Sequence, residues 1–327
     1  VKPAVLVSRE VFDDTLSMLA EHFDVTSNQA DVKHSPEALA ALMAEHDGAV
    51  ISTNDRVDAA LLDRCPRLRV IANVGVGYNN IDVPACTSRG VMVTNTPGVL
   101  TDSVADHTMG LILATCRRVT EGEQLLRAGG WQANFLKMML GKDVHGATLG
   151  IFGMGRIGQA VAKRARGFDM TIRYHNRHPL PPADAAGAEW RSKDALLAES
   201  DIVVLLTPYS AATHHMIGAR ELALMKPDSV LVNVARGGIV DDAALIAALR
   251  RGERPWAAGV DVFENEPAFD PGFLSLKNVV LTPHIASASE PTRRAMANTA
   301  ARNCIAALTT GAPPHLLNPE AREVARA

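Results

Sequence analysis

Arg236, Glu266 and His284 each stand just beyond a short apolar run, Val230 to Val234, Ala257 to Val262 and Val279 to Thr282 respectively. An arginine presents a rigid fork of donors that can hold a carboxylate and polarise a neighbouring carbonyl oxygen. A histidine titrates near neutrality, so it can give a proton to a forming alkoxide or take one back. A carboxylate within hydrogen-bond reach of an imidazole favours its charged form, the part Glu266 would take. These residue types suit reduction of a carbonyl beside a carboxylate, provided that a hydride source lies next to them. Taken singly, each has a plainer reading: Arg236 as a helix-terminal cation, Glu266 as a loop charge before Pro267, His284 as a hydrogen-bonded core imidazole. The chain has 11 histidines, among them His145, His175, His214 and His215, so residue type alone carries little information. Position at strand ends is what singles out these three.

A hydride carrier has its own signature. The run Leu149 to Phe152 leads into Gly153-Met154-Gly155-Arg156-Ile157-Gly158 and then into a helical stretch, Gln159 to Arg166. In that context the first glycine permits a tight turn and the second lets a pyrophosphate approach the backbone. The third lets helix and strand pack closely, and the helix N-terminus offers unpaired N–H groups to the phosphates. A next strand, Met170 to Tyr174, ends where NAD-specific proteins place a carboxylate on the ribose. Here the chain reads His175-Asn176-Arg177-His178. With no carboxylate to repel a 2′-phosphate, and with Arg177 able to pair with it, NADPH is expected to be preferred, with NADH possible. The plainer reading of Arg177 is a solvated turn cation.

The elements that must position these residues follow from apolar patterning. Short runs such as Ala49-Val50-Ile51, Val70-Ile71-Ala72 and Ile202 to Leu206 alternate with helical stretches along the whole chain, which predicts an α/β fold of two doubly wound parallel-sheet domains, Rossmann-like or flavodoxin-like. In a parallel sheet the C-terminal strand ends share one edge, so Arg236, Glu266, His284 and the glycine turn can converge. Residues 1–99 and 285–327 are expected to form a discontinuous substrate domain, and residues 100–284 the dinucleotide-binding domain. The segment Thr101 to Gly129 reads as one long helix between the lobes, opened by Thr101-Asp102 as a cap and closed by Gly129-Gly130. Its apolar middle, Met109 to Ala114, is expected to be buried on more than one side, within the chain or against another subunit. The last helix, roughly Glu290 to Leu308, is expected to pack back onto the first lobe.

Composition narrows the partners. With 327 residues, 47% hydrophobic, 21% charged and a net charge of −3, the chain is that of an ordinary soluble protein without a field to attract nucleic acid or an anionic membrane. Cys65, Cys86, Cys116 and Cys304 form no Cys-x-x-Cys pair, so reduced structural thiols are expected, and no metal-ligand set is read from the spacing. The opening run Ala4 to Val7 is too short for a signal-peptide core and no apolar run approaches transmembrane length, so a cytoplasmic location is expected.

The segments Asn233-Val234-Ala235-Arg236-Gly237-Gly238-Ile239-Val240-Asp241, Asp261-Val262-Phe263-Glu264-Asn265-Glu266-Pro267 and Thr282-Pro283-His284-Ile285-Ala286 closely resemble the D-isomer-specific 2-hydroxyacid dehydrogenase family. The likeness extends to Asn73-Val74-Gly75-Val76-Gly77-Tyr78-Asn79-Asn80-Ile81-Asp82 and Thr101-Asp102-Ser103-Val104-Ala105-Asp106, and so spans nearly the whole chain. The resemblance implies that N–H groups at Val76 and Gly77 hold the substrate carboxylate, with Arg236, Glu266 and His284 in the roles argued above. It implies cofactor contacts at Gly153, Gly155, Arg156, Ile157, Gly158, Asn176, Arg177, Thr207, Pro208, Val234, Ala235, Asp261 and Thr101. It also implies a homodimer built on the long helix and its following loop.

Within the family, Asp143-Val144-His145-Gly146 and Asn176-Arg177 look like the glyoxylate/hydroxypyruvate and 2-ketogluconate reductase branch. Where that branch often carries an aromatic residue at the substrate pocket, this chain has Lys137-Met138-Met139-Leu140. Soft Met and Leu side chains there are expected to form an adaptable apolar wall that admits a larger acid than glyoxylate. Two other readings compete: an NAD-linked relative acting on another acid such as phosphoglycerate, and a dinucleotide-sensing corepressor or scaffold on the same fold. The second would show partner-binding extensions or a damaged Arg-Glu-His set, and neither is visible.

Overall fold

The apolar runs of the first hundred residues become strands, and the amphipathic stretches between them become helices. In the computed structural model, which describes residues 2–324, these elements are β1 (Ala4–Val7), α1 (Asp13–Ala20), β2 (Asp24–Ser27), α2 (Pro36–Ala44), β3 (Gly48–Ser52), α3 (Ala59–Asp63), β4 (Val70–Val74), α4 (Val83–Ser88) and β5 (Met92–Thr94). All five strands pair in parallel in the order β2-β1-β3-β4-β5, the flavodoxin-like arrangement.

Alternate residues face opposite sides of this sheet, and both sides are covered. On one, Leu6, Ala49, Ile51, Ile71 and Val93 pack with Leu39, Met43, Leu61 and Leu62. On the other, Val5, Val7, Val50, Val70 and Ala72 meet Ala300, Ala301, Cys304 and Ala307. Those last four lie on a helix from the far end of the chain, Glu290–Thr310, so the unit is discontinuous in sequence. It comprises the residues up to Leu100 together with those from Ala288 onward.

The second unit, Thr101–Ser287, begins with α5 (Thr101–Cys116) and α6 (Val119–Arg127). It continues with β6 (Thr148–Phe152), α7 (Arg156–Ala165), β7 (Thr171–His175), α8 (Pro182–Ala185), β8 (Glu189–Trp190), α9 (Lys193–Glu199), β9 (Ile202–Leu205), α10 (Ala219–Leu224), β10 (Val230–Asn233), α11 (Asp242–Arg250), β11 (Ala257–Val260) and β12 (Val279–Leu281). The chain then returns to the first unit as α12 (Glu290–Thr310) and α13 (Ala321–Val324). The seven strands of the second unit are parallel, in the order β12-β11-β10-β9-β6-β7-β8. The chain reverses direction across the sheet between β6 and β9, which is where a doubly wound sheet opens a crevice at its strand ends.

One expectation is corrected. The stretch from Thr101 to Gly129 is two helices, because Arg118 adopts a left-handed conformation with φ of 53°. The break is held on both sides: the Arg118 guanidinium donates to Glu121 at 2.6 Å and to the Leu140 carbonyl at 3.2 Å, while the Lys142 N–H donates to the Cys116 carbonyl at 2.7 Å. Thr101 is the first helical residue rather than the cap. The apolar middle of α5 is buried within the second unit, where Met109, Leu111 and Ile112 join the core of β6, β9 and β10, so the helix belongs to that unit. Gly129, with φ of 67°, does close α6, and the Gly130 N–H returns to the Leu125 carbonyl. Among the described residues, no helix is long and apolar enough to cross a membrane.

Candidate active site

Because the strands of the second unit run parallel, the segments leaving β6, β7, β9, β10, β11 and β12 gather at one sheet edge. Gly153 to Gly158 lie directly after β6, Asn176 and Arg177 after β7, and Thr207 and Pro208 after β9. Val234, Ala235 and Arg236 extend from β10, Asp261 and Glu266 from β11, and His284 from β12. Thr101 opens α5, whose first turns lie at the same edge, with the Ser103 hydroxyl 3.4 Å from the Ala286 carbonyl.

The glycine turn fits a dinucleotide by its own geometry. Gly153 has φ of 95°, and a Cβ there would sit 2.8 Å from the Leu206 backbone. A Cβ on Gly158 would lie 2.4 Å from the Gly153 carbonyl oxygen, so only glycine lets α7 approach β6 this closely. At Gly155, by contrast, the space is open, and this N-cap residue of α7 supplies no side-chain cap. The first N–H groups of the helix are therefore available to a phosphate. Beside the turn, the Thr207 hydroxyl is buried without a hydrogen-bond partner, a group that a bound ligand would satisfy. The Asn176 side chain accepts the Met154 N–H at 2.8 Å, tying the end of β7 to the glycine turn, with Arg177 exposed one residue further on.

The turn after β10 is braced by Asn233, whose amide oxygen accepts the Ala235 N–H at 3.2 Å and whose amide nitrogen donates to the Arg236 carbonyl at 3.3 Å. A Cβ on Gly237 would overlap the Phe263 carbonyl at 1.7 Å, so the turn carrying Arg236 lies directly on the loop after β11. Burial pushes the pKa of Arg236 down, and the Glu266 charge opposes that shift. On the β11 loop, Oε2 of Glu266 lies 2.7 Å from Nδ1 of His284, while its Oε1 accepts the Phe263 N–H at 2.8 Å.

His284 itself takes φ of 53°, in the left-handed region that few non-glycine residues enter. Asp261 holds it there. The Asp261 carbonyl accepts the His284 N–H at 2.8 Å, and its fully buried carboxylate accepts the N–H groups of Ile285 and Ala286 and the Thr282 hydroxyl. Burial alone would raise the Asp261 carboxyl, but the bonds from His107, Thr282 and Ile285 outweigh it and keep the group below its ordinary range. His107, on α5, was missed by sequence reasoning. Its Nε2 lies 3.4 Å from Asp261 and 3.3 Å from Thr282, and its signal was only its place directly after the Thr101 to Asp106 motif.

In the first unit, Val76 and Gly77 lie just beyond β4. Their carbonyls accept from the side-chain amides of Asn95 and Asn73, both at 2.9 Å. Among the described residues neither N–H has a protein partner, which leaves a pair of adjacent donors.

The expectation is corrected for Leu140. Leu140 lines a cleft with Thr115, Trp256, Ala257, Val279 and Val280. Ala257 and Val279 are the first residues of their strands, so Leu140 sits at the opposite edge of this sheet from Arg236 and His284. The reason is the direction of α5, which starts at the catalytic edge and delivers the following chain to the other one.

A doubly wound sheet with a glycine turn at its switch point and proton-transfer groups on the same edge is the framework of a dinucleotide-dependent oxidoreductase. Comparison with known proteins narrows this. The pattern described as "D-isomer specific 2-hydroxyacid dehydrogenase, NAD binding domain" matches residues 109–286. A glyoxylate reductase of Thermococcus gammatolerans is 46% identical over 331 aligned residues, covering 99% of this chain and 98% of the relative. A glyoxylate/hydroxypyruvate reductase B of Escherichia coli O9:H4 is 45% identical, covering 98% and 99%. Among solved structures, the NADPH-dependent glyoxylate/hydroxypyruvate reductase of Sinorhizobium meliloti, in complex with NADP and malonate, superposes with a TM-score of 0.88 at 36% identity over 98% of each chain. The chain belongs to the D-isomer-specific 2-hydroxyacid dehydrogenase family, and it is an NAD(P)-dependent oxidoreductase.

Proposed function

We propose that this enzyme reduces a small 2-oxo acid of the glyoxylate and hydroxypyruvate class to the D-2-hydroxy acid, with NADPH preferred over NADH. The observation that carries the reading is the Glu266 to His284 hydrogen bond of 2.7 Å, at the sheet edge that also bears the glycine turn and Arg236.

The nicotinamide, when bound, supplies the hydride. Gly153, Gly155, Arg156, Ile157 and Gly158 would hold the pyrophosphate of the dinucleotide, Thr207 and Pro208 would flank it, and Asn176 and Arg177 would take the adenosine ribose with its 2′-phosphate. Val234, Ala235, Asp261 and Thr101 complete the cofactor contacts. Arg236 binds the oxygens of the substrate and draws charge from its carbonyl. The N–H groups of Val76 and Gly77 hold the substrate carboxylate. His284, fixed through Nδ1 by Glu266, gives its proton from Nε2 to the forming alkoxide and recovers one in the reverse direction.

The enzyme works as a homodimer in this reading. Trp131, Phe135, Leu136 and Leu140 are exposed in a single stretch after α6, with Leu136 at 96%, and a second copy of the chain is the proposed cover. Four free, buried cysteines suit a reducing compartment, the cytoplasm.

The test is oxidation of NADPH and NADH, followed by absorbance, with glyoxylate, hydroxypyruvate, 2-ketogluconate and 3-phosphohydroxypyruvate. Turnover led by the first two acids with NADPH is expected. Turnover led by the phosphorylated acid with NADH would overturn the reading.

A further inference from the structure

We propose that His214, His215 and Glu264 form a binding site for a divalent transition-metal ion of the zinc class, separate from the catalytic pair. His214 and His215 lie in the connection between β9 and α10, and Glu264 in the loop after β11, 49 residues from His215 along the chain. One ligand atom from each of the three lies within 4.8 Å of the other two. Two imidazoles and a carboxylate are the donor set that zinc takes when three protein groups bind it and water completes the shell.

The rest of the connection holds these donors in place. The two imidazole rings stack with centroids 3.9 Å apart and planes at 22°. The His214 N–H donates to the Ser210 carbonyl at 2.9 Å, and the His215 N–H to the Gly238 carbonyl at 2.7 Å. His215 adopts φ of 49°, in the left-handed region that few non-glycine residues enter. The Tyr209 hydroxyl lies 3.1 Å from Nδ1 of His214, so it orients that ring and the ligand role falls to Nε2. On the other loop, the Glu264 N–H donates to Asp242 at 2.9 Å, and the Glu264 carboxylate already meets Nε2 of His215.

An ion pair between His215 and Glu264 accounts for two of these groups, and the Tyr209 contact engages Nδ1 of His214, which leaves its Nε2 to act as the third donor. A tetrahedral ion with bonds of about 2.0–2.2 Å needs donors roughly 3.4 Å apart, so the widest separation must close by up to about 1.4 Å while the His215 to Glu264 contact opens to admit the ion. The site is solvent-exposed, with the His215 side chain at 38% exposure and that of Glu264 at 30%, which leaves room for the completing water. Once bound, the ion would clamp the β9 to α10 connection to the turn that carries Glu266.

Cobalt(II) is the probe, because four-coordinate cobalt absorbs visible light strongly enough to report the geometry. The full-length protein is titrated as wild type, His214→Ala, Glu264→Gln and, as a control at an exposed histidine elsewhere, His178→Ala, with circular dichroism confirming that each is folded. The expected result is one saturable cobalt site displaced by one equivalent of zinc, at least tenfold weaker in His214→Ala and Glu264→Gln and unchanged in His178→Ala. His214→Gln serves in place of the alanine variant if that one does not fold. Absence of a saturable site in the wild type, or wild-type affinity in the His214 and Glu264 variants, overturns the proposal and leaves a plain His215 to Glu264 ion pair.

Discussion

Nδ1 of His284 and Oε2 of Glu266 are 2.7 Å apart, and the other oxygen of Glu266 is held by the Phe263 N–H at 2.8 Å. Both carboxylate oxygens are thus engaged, so Glu266 cannot rotate away from the imidazole without losing a bond. One nitrogen of His284 is fixed and the other is left for proton transfer.

Replacing His284 by alanine should therefore act mainly on kcat, with a loss of about 10²–10⁴-fold, as is typical for removal of a general acid. Glu266→Gln should lower kcat less, because an amide keeps the contact but not the charge. Steady-state kinetics decide this, and a change confined to KM in His284→Ala would contradict the assignment.

In the proposed reaction Arg236 contacts both the bound acid and the charge developing on its carbonyl. Arg236→Ala should raise KM and also lower kcat by about 10²–10³-fold, the cost of losing one oxyanion-stabilising group. Arg236→Lys should recover little of this, since an ammonium cannot reproduce the planar fork. Recovery by lysine to near wild-type turnover would reduce Arg236 to a general cation.

Arg177 lies beyond β7 on the exposed side of Asn176. Arg177→Ala should lower kcat/KM for NADPH by about 10–100-fold, the range expected for charge-assisted hydrogen bonds, and leave the value for NADH nearly unchanged. Equal losses for both cofactors would point to a damaged fold rather than a lost phosphate contact.

Asp242, at the start of α11, is 4% exposed, and burial with the nearby charges of Glu264 and Asp241 pushes its carboxyl from 3.8 to about 6, despite a bond from the Glu264 N–H. Because the folded value lies above the unfolded one, its stabilising effect is fully present below about pH 4 and is lost as pH rises through about 6. The shift corresponds to about 3 kcal/mol at most. Asp242→Asn should thus raise the denaturation midpoint at pH 8 and leave it close to wild type at pH 4, as urea titrations at the two values would reveal. A gain of the same size at both would show that the cause is not ionisation.

Much of this site was legible in the chain itself. A glycine that must take positive φ, a helix that must begin after it, and polar residues directly beyond apolar strands are signals carried by close neighbours in sequence. The parallel sheet turns them into geometry, since its strand ends share one edge whatever the intervening lengths. That is why Gly153, Arg236, Glu266 and His284 group together from the sequence alone, and why the alternation of runs announces both sheets.

Where a signal depended on contacts between distant segments, sequence reasoning failed or was silent. Periodicity carried a single helix through Arg118, because bonds that hold the break come from Leu140 and Lys142, some two dozen residues along the chain. Motif position set Leu140 beside the substrate, whereas the direction of α5 carries it to the far edge of the sheet.

The chain by itself determined the residue types, the glycine turn and the succession of strands and helices along it, because those rest on local sterics and on which side chains leave water. Only the tertiary structure decided that Asp261, His107 and Thr282 brace the strained His284 loop, and that His214 and His215 meet Glu264. Such convergence depends on how long connections fold back across the sheet edge, and no spacing within a single segment encodes it.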